Sequence, residues 1–291
     1  MSESDKESNI VPSGPVVVLF LDGWGVAPPT EANLLYQAQT PVWDDLVSSY
    51  PVTVLKTHDP SMGFYFNERP DLETSYYTIG TSGPYNTNLN RINSAIEDNT
   101  FFQNRTLHKT AEHVTKNRSK LHLVGLASEA NIHSYLDHLR ALLSFAKQNE
   151  VKEVYLHLIL DGVDVPDGRG KDYIEQIQQY EKEFGIGKVA SISGRYYAMD
   201  RDNHWERTAK AYHAMTRGEG RKTLSPEEAL KESYAKHIFD KEFFPTVVTN
   251  KEGDPISTIG SGDGVVLFNT RGDRMRQLAQ AFTLPGLEAI P

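Results

Sequence analysis

The run 188-KVASISGRYYAMDRDNHWERTAKAYHAMT-216 changes character twice along its length. Its opening, 188-KVASIS-193, is not strictly alternating, which suits a buried strand covered on both faces rather than one with a wet side. Its close, 203-NHWERTAKAYHAMT-216, repeats apolar residues at the helical period. Between them, Arg195 and Arg201 stand either side of an aromatic pair. A buried strand that passes through a polar turn into an amphipathic helix is the building unit of a parallel α/β sheet.

The same unit recurs in both directions. Strands are expected at 16-VVVLFL-21, 121-LHLVGL-126, 154-VYLHLIL-160 and 265-VVLFN-269. Helical patterns cover 134–149, where Leu136, Leu139, Leu143 and Ala146 share a face, and 171–184. In 225-SPEE-228, Ser as N-cap, Pro at the first helical position and Glu at the third mark a further helix start. Gly185 and Gly218 fall where helix stops are expected. The fold class is α/β, a mostly parallel sheet flanked by helices. The segment 57–90, rich in Gly, Pro, Asn, Thr and Tyr without steady periodicity, is expected to be a long loop or a crossing between domains.

A length of 291 residues allows one large domain or two ordinary ones. The net charge of −9 argues against nucleic acid as a partner, because phosphate backbones call for a basic face. The absence of cysteine excludes disulfides, thiolate metal sites and thiol nucleophiles. Residues 1–14 are polar, lack the basic start and apolar core of a signal peptide, and are expected to be a disordered tail. The run 16–21 is far short of the ~20 residues of a membrane helix, so no membrane partner is expected and the chain is read as cytoplasmic.

In open α/β sheets ligands bind beyond the carboxyl ends of the strands. Asp22 follows the first expected strand, a position suited to a divalent metal. An Asp in a turn equally caps its own backbone. His133, in 128-SEANIHS-134, is placed as an acid, a base or a phosphate donor. Asp161 and Asp164 follow the strand 154–160, Arg195 and Arg201 follow 188–193, and Arg271 and Arg274 follow 265–269. Guanidinium groups match carboxylate and phosphate geometry, so four of them after strand ends in an acidic chain point to an anionic small molecule. Each also has a carboxylate nearby to pair with, at Asp200, Asp202 or Asp273. His122 and His157, inside apolar strands, are expected to be core histidines with satisfied hydrogen bonds.

Taken together, the segments 16-VVVLFLDGWG-25, 91-RINSAIEDNTFFQN-104, 122-HLVGLASEANIHS-134, 194-GRYYAMDRDNHWER-207 and 264-GVVLFNTRGDRMRQLAQAF-282 resemble the cofactor-independent (2,3-bisphosphoglycerate-independent) phosphoglycerate mutase family. That resemblance implies two α/β domains. One is alkaline-phosphatase-like, with two Mn²⁺ or Mg²⁺ ions and a serine nucleophile. The other is an inserted transferase domain that grips 3- or 2-phosphoglycerate, a pair interconverted in glycolysis. On this basis residues 15–86 are a partial phosphatase-like segment and 87–291 the transferase-type domain. Asp22 matches the first metal-binding Asp, and His133 a substrate-contacting His. Asp164 matches the Asp that handles the glycerate proton, and Arg195, Arg201, Arg271 and Arg274 match substrate-binding arginines.

The chain also departs from the family. Where the family reads Asn-Ser-Glu-Val-Gly-His-Leu-Asn-Ile-Gly, this chain reads 71-DLETSYYTIG-80, which sets Leu72 at the catalytic serine, keeps Glu73 and replaces Gly-His with Ser75-Tyr76. Leucine neither attacks phosphorus nor binds a metal. The hydroxyls of Thr74 and Ser75 are chemically competent but displaced by two or three residues. Glu129-Ala130-Asn131 replaces the family's Asp-Gly-Gly, and Val163 replaces an arginine. Other metal ligands and a substrate lysine belong to a phosphatase portion absent from this sequence, and Asp22 by itself cannot hold two divalent ions. The expectation is a pseudoenzyme that binds phosphoglycerate and holds no stable metal. The alternatives are half of a split mutase completed by a second polypeptide, or an interaction scaffold with no ligand.

Overall fold

The computed structural model describes residues 14–21, 23–54, 72–81, 83 and 86–284. The expected tail, except residue 14, and Asp22 lie outside the described residues. The chain divides into two compact units, Met1–Leu55 and Lys56–Pro291. In the first lie the short helix α1 (Leu34–Gln37) and the helix α2 (Pro41–Ser49).

The strand expected at 16–21 does not form. Residues 16–21 have no strand assignment, and Val16, Val17, Val18, Leu19, Phe20 and Leu21 are all exposed. A strand is held by ladder hydrogen bonds and two covered faces, and no neighbouring strand is available to this run among the described residues.

The second unit begins with α3 (Leu72–Thr81), α4 (Asn88–Glu97) and α5 (Arg105–Asn117). Helices α3 and α4 correct the expectation of an irregular 57–90 segment over the part that is described. Tyr76, Tyr77 and Ile79 of α3 are exposed and Thr78 is buried, so no apolar stripe betrays the helix in sequence. The α/β succession follows: β1 (Leu121–Ala127), α6 (Leu136–Gln148), β2 (Val154–Leu160), α7 (Gly170–Phe184) and β3 (Lys188–Gly194). Next come α8 (Arg195–Ala198), α9 (Trp205–Thr216), β4 (Arg221–Thr223), α10 (Pro226–Ala235), β5 (Thr246–Val248), β6 (Gly264–Leu267) and α11 (Arg276–Thr283).

The six strands form one sheet in the order β4-β5-β3-β2-β1-β6. All neighbours are parallel except β3 and β5, so β4 and β5 run against the other four. Alternate residues of β1 feed two cores. Leu121 and Leu123 join residues of α5, α6, α7 and α10 on one face, and Val124 and Leu126 join α9 and α11 on the other. This three-layer arrangement explains why the central strands are apolar throughout, each fully buried Leu or Ile contributing about 2–3 kcal/mol of transfer free energy. Ser225 caps α10 by accepting from the Glu228 N–H, and Gly185 ends α7 at φ 73°, both at the positions expected from sequence.

His122 and His157 are core residues, as expected. Asp263, His122, His157 and Ser191 form one buried chain, with contacts of 3.3, 2.9 and 2.8 Å. An ionised Asp263 accepts from His122 Nε2–H, which leaves His122 Nδ1 to accept from His157 Nε2–H, and His157 Nδ1 to accept from the Ser191 hydroxyl. Both imidazoles are neutral in this ordering. Burial pushes His122 down to about 4 against the pull of Asp263, and burial followed by the His122 charge pushes His157 well below its ordinary value.

Gly194 ends β3 beneath a short 3₁₀ turn, Asp240–Glu242. A Cβ there would collide with the carbonyl oxygens of Lys241 and Asp240, the latter at 2.6 Å. The Gly194 N–H also donates to the Phe243 carbonyl at 2.7 Å, so neither backbone can withdraw freely. Gly194→Ala is expected to destabilise the domain by at least about 3 kcal/mol. A loss below about 1 kcal/mol in urea unfolding would show that the turn is not fixed there.

Candidate functional site

The chain order reverses direction across the sheet between β1 and β6, since β1 leads outward to β2 and β3 while β6 returns to the other side of β1. A crevice beyond the carboxyl ends at such a switch point is the usual ligand site of an open α/β sheet. The two loops that border it are tied together. The Thr270 N–H donates to the His133 carbonyl at 2.7 Å, and the Thr270 hydroxyl to the same oxygen at 3.2 Å. Asn269 ends β6 by accepting the Leu126 N–H on its side-chain oxygen at 2.8 Å, which turns the chain toward Arg271.

Asp161, at the end of β2, is buried and accepts from four groups. Its Oδ1 takes Arg195 Nη1 and the N–H groups of Val163 at 3.2 Å and Asp164 at 3.0 Å. Its Oδ2 takes the Ser128 hydroxyl at 2.7 Å. The same Arg195 Nη1 reaches Asp164 Oδ2 at 2.7 Å. Arg195 is itself 6% exposed, so this is a buried ion pair in which one guanidinium nitrogen serves two carboxylates. Its Nε and Nη2 have no protein acceptor among the described residues, which leaves one edge of the fork for a guest.

His133 Nε2 lies 3.7 Å from Asp164 Oδ2, and His133 Nδ1 is buried with no hydrogen-bond partner among the described residues. Burial, then the charge of Arg195, pushes its imidazole down to about 4 against the pull of Asp164, with Arg271 and Asp273 also close enough to act. The ring is therefore neutral at pH 7, able to donate one hydrogen bond and accept one.

The other arginines are linked to this group through Asp273 and Arg195. Arg201 Nη1 pairs with Asp273 Oδ2 at 2.9 Å, and Arg271 Nε lies 3.7 Å from Asp273 Oδ1. Burial, then the charges of Arg201 and Arg195, lowers the Arg274 guanidinium from its ordinary value, and its Nε is buried without a partner among the described residues. Burial works against the charge of Asp273, yet Arg271, His133 and the bond from Arg201 hold its carboxyl below the usual range. Carboxylate pairing, one of the two readings the sequence allows for these arginines, is made at Arg195, Arg201 and Arg271. Asp273 lies against Arg201 and Arg271, Arg274 feels the charges of Arg201 and Arg195, and Arg195 and Arg271 act on His133, so the four belong to one charge network. Unpartnered buried atoms gathered at one place mark a polar site that a guest or water completes.

Two further expectations concern metals and the nucleophile. Leu72 is the first residue of α3. Among the described residues, Asp200, Asp202 and His204 bring ligand-type atoms within 4.8 Å of one another. Both Asp200 oxygens are already taken, Oδ1 by His204 Nδ1 and Arg207, Oδ2 by the N–H groups of Asp202 and His204 and by Gln277. Burial opposes its charge, but these donors outweigh it and keep its carboxyl below the ordinary value. Asp200 is a loop clasp, and the described residues do not fit a two-metal cage.

The roles of Ser128, Asp161, Thr270 and Asp273 as scaffold have a faint signal in sequence, since each neighbours a strand end. Asp240 has none. It accepts from the N–H groups of Gly168 at 2.9 Å and Gly170 at 3.1 Å and from the Tyr234 hydroxyl, holding the loop after β2 from a turn far along the chain.

The fold is a three-layer α/β domain that carries four arginines and a buried histidine on the loops at its switch point. Comparison with known proteins makes this specific. Residues 92–290 match the family model described as BPG-independent PGAM N-terminus (iPGM_N), and the chain belongs to that family. Curated relatives named 2,3-bisphosphoglycerate-independent phosphoglycerate mutase include those of Moorella thermoacetica, 41% identical over 92% of this chain, and Synechocystis, 39% identical over 96%. The chain spans 52% of each, about half the length of the curated relatives it matches. A solved Leishmania mexicana phosphoglycerate mutase, crystallised at low cobalt concentration, shares the fold with a TM-score of 0.80 at 23% identity, over 91% of this chain and 50% of its own.

Proposed function

We propose that this chain binds 3- or 2-phosphoglycerate between Arg195, Arg201, Arg271, Arg274, His133 and Asp164, and does not interconvert them unaided. The observation that carries the first half is one charge network of four guanidiniums, two of which, Arg195 and Arg271, act on a neutral His133 whose Nδ1 lacks a partner among the described residues, in a chain whose relatives are phosphoglycerate mutases. A phosphate or carboxylate supplies the acceptors that Arg195 and Arg274 lack. Asp164, fixed beside His133, is the group able to exchange a proton with a glycerate hydroxyl. The loss of catalysis rests on Leu72 in the nucleophile's register. A step of two residues along α3 turns about 200° and a step of three advances about 4.5 Å, so positions 74 and 75 do not replace position 72 for in-line transfer.

A second reading is favoured by the exposed apolar side chains of the first unit, among them Val17, Leu19, Trp43, Leu46 and Val52. In it, a separate polypeptide resembling the relatives' other half covers that surface and supplies the metal ligands for Mn²⁺ or Mg²⁺. The setting is glycolytic and cytoplasmic in either reading. Among the described residues no helix is long and apolar enough to cross a membrane.

Calorimetric titration with 3-phosphoglycerate is expected to give saturable heat, and none at millimolar ligand would sink the binding reading. In a coupled mutase assay with Mn²⁺ the chain is expected to show no turnover. Turnover that survives replacing both Thr74 and Ser75 by Ala would refute the register of Leu72.

A further inference from the structure

We propose that Asp161 is the positioning residue of this site: it aims the Arg195 guanidinium at an incoming anion without touching the anion itself. The inference rests on the anion-binding reading above and adds a residue that contacts no ligand. Three strand ends meet on this one carboxylate. Ser128 follows β1, Asp161 and the N–H groups of Val163 and Asp164 follow β2, and Arg195 follows β3. With both oxygens occupied and 2% of its surface exposed, Asp161 has nothing left to offer a guest. It engages Arg195 only at Nη1 and so fixes which edge of the fork faces the crevice. Asp164, which shares that nitrogen, is set in turn by its own N–H on Asp161. A guanidinium with its rotamer locked loses less freedom on binding than a loose one.

Charge and position make opposite demands, and this separates them. Removing a carboxylate beside an anion site should tighten anion binding if charge alone matters. Removing a positioning residue should weaken it. Asp161→Ala deletes the charge and the tethers, whereas Asp161→Asn deletes the charge but keeps an acceptor at Oδ1 for Arg195 and the loop. With Asp161→Ala, 3-phosphoglycerate affinity is expected to fall by at least about tenfold, and with Asp161→Asn to stay within about threefold.

A second readout needs no ligand. The imidazole of His133 faces Arg195, Asp164, Arg271 and Asp273, and NMR titration of labelled histidine reports on that field. In Asp161→Ala, Arg195 is released from its place and its depressing effect is lost, so the His133 titration is expected to move up by about one pH unit. In Asp161→Asn it is expected to stay. Equal behaviour of the two variants, tighter binding by both, or an unmoved His133 in Asp161→Ala would overturn the proposal. If the wild-type chain binds no 3-phosphoglycerate, the ligand reading fails while the His133 titration still decides the role of Asp161. Should Asp161→Ala not fold, Ser128→Ala removes one tether and is expected to shift His133 in the same direction, no shift counting against the proposal.

Discussion

Lowering the pH from 7 to 5.5 is expected to remove about 5 kcal/mol of folding stability, with no carboxylate yet protonated in bulk. The cause is four histidines held neutral by burial. His122, His133 and His138 are each pushed down to about 4, chiefly by desolvation, and His157 well below its ordinary value. Unfolded, each returns to a value near 6.5 and takes up a proton that the folded form refuses. Their contribution is whole above that value and is lost as the pH falls from there toward about 4. At pH 5.5 each costs about 1.3 kcal/mol, and the four together rival the 5–15 kcal/mol that holds an ordinary domain. Asp240 and Glu181, both pushed up by burial, work in the opposite sense but are two groups against four. Urea unfolding at the two pH values measures the difference. A change below about 1 kcal/mol would mean that these rings are not neutral inside the fold.

Arg195→Met is expected to cost 3–5 kcal/mol, roughly, because it strands Asp161 and Asp164 without a counter-ion in a buried place. The two carboxylates are 0% and 15% exposed at the side chain, so water cannot take over the role of the guanidinium at Asp161. The pair itself adds little net stability, since bringing both charges out of water opposes their attraction. It follows that Asp161→Asn introduced into the Arg195→Met chain should recover part of the loss, as both partners are then neutral. Phosphoglycerate binding should fall by about 10- to 100-fold in Arg195→Met and not recover in the double variant, because the charge-assisted bonds to the ligand are gone. Denaturant melts and calorimetry on the three proteins test this. A double variant less stable than Arg195→Met would contradict it.

What could be read in advance follows from how each element is held. The central strands and the helices α6, α7 and α9 are legible because two-sided burial imposes apolar runs and one-sided burial imposes a helical period. Strands β4 and β5 have three residues each and carry no period, and Arg221 and Lys222 read as surface. Residues 16–21 have every property of a strand except a neighbour among the described residues, and pairing is a property of two segments that one segment cannot announce. The site residues lay at strand ends, where topology and chemistry point to the same few positions. That Asp161 binds Arg195 and Asp273 binds Arg201 depends on side chains that meet from 34 and 72 residues apart. No local pattern records such meetings.

Because β5 runs against β3, the chain leaves β5 on the rim of the sheet away from the carboxyl ends of β1, β2, β3 and β6. There it makes the turn Asn250–Asp254, closed by the Asn250 side chain on the Asp254 N–H and by the Thr249–Pro255 bridge. Lys251 and Glu252 at its tip are exposed. A dye, a spin label or a surface-immobilisation handle attached at Lys251 would therefore sit at the rim of the sheet opposite Arg195 and Arg271. The sheet thus holds its arginines at one rim and offers a handle at the other.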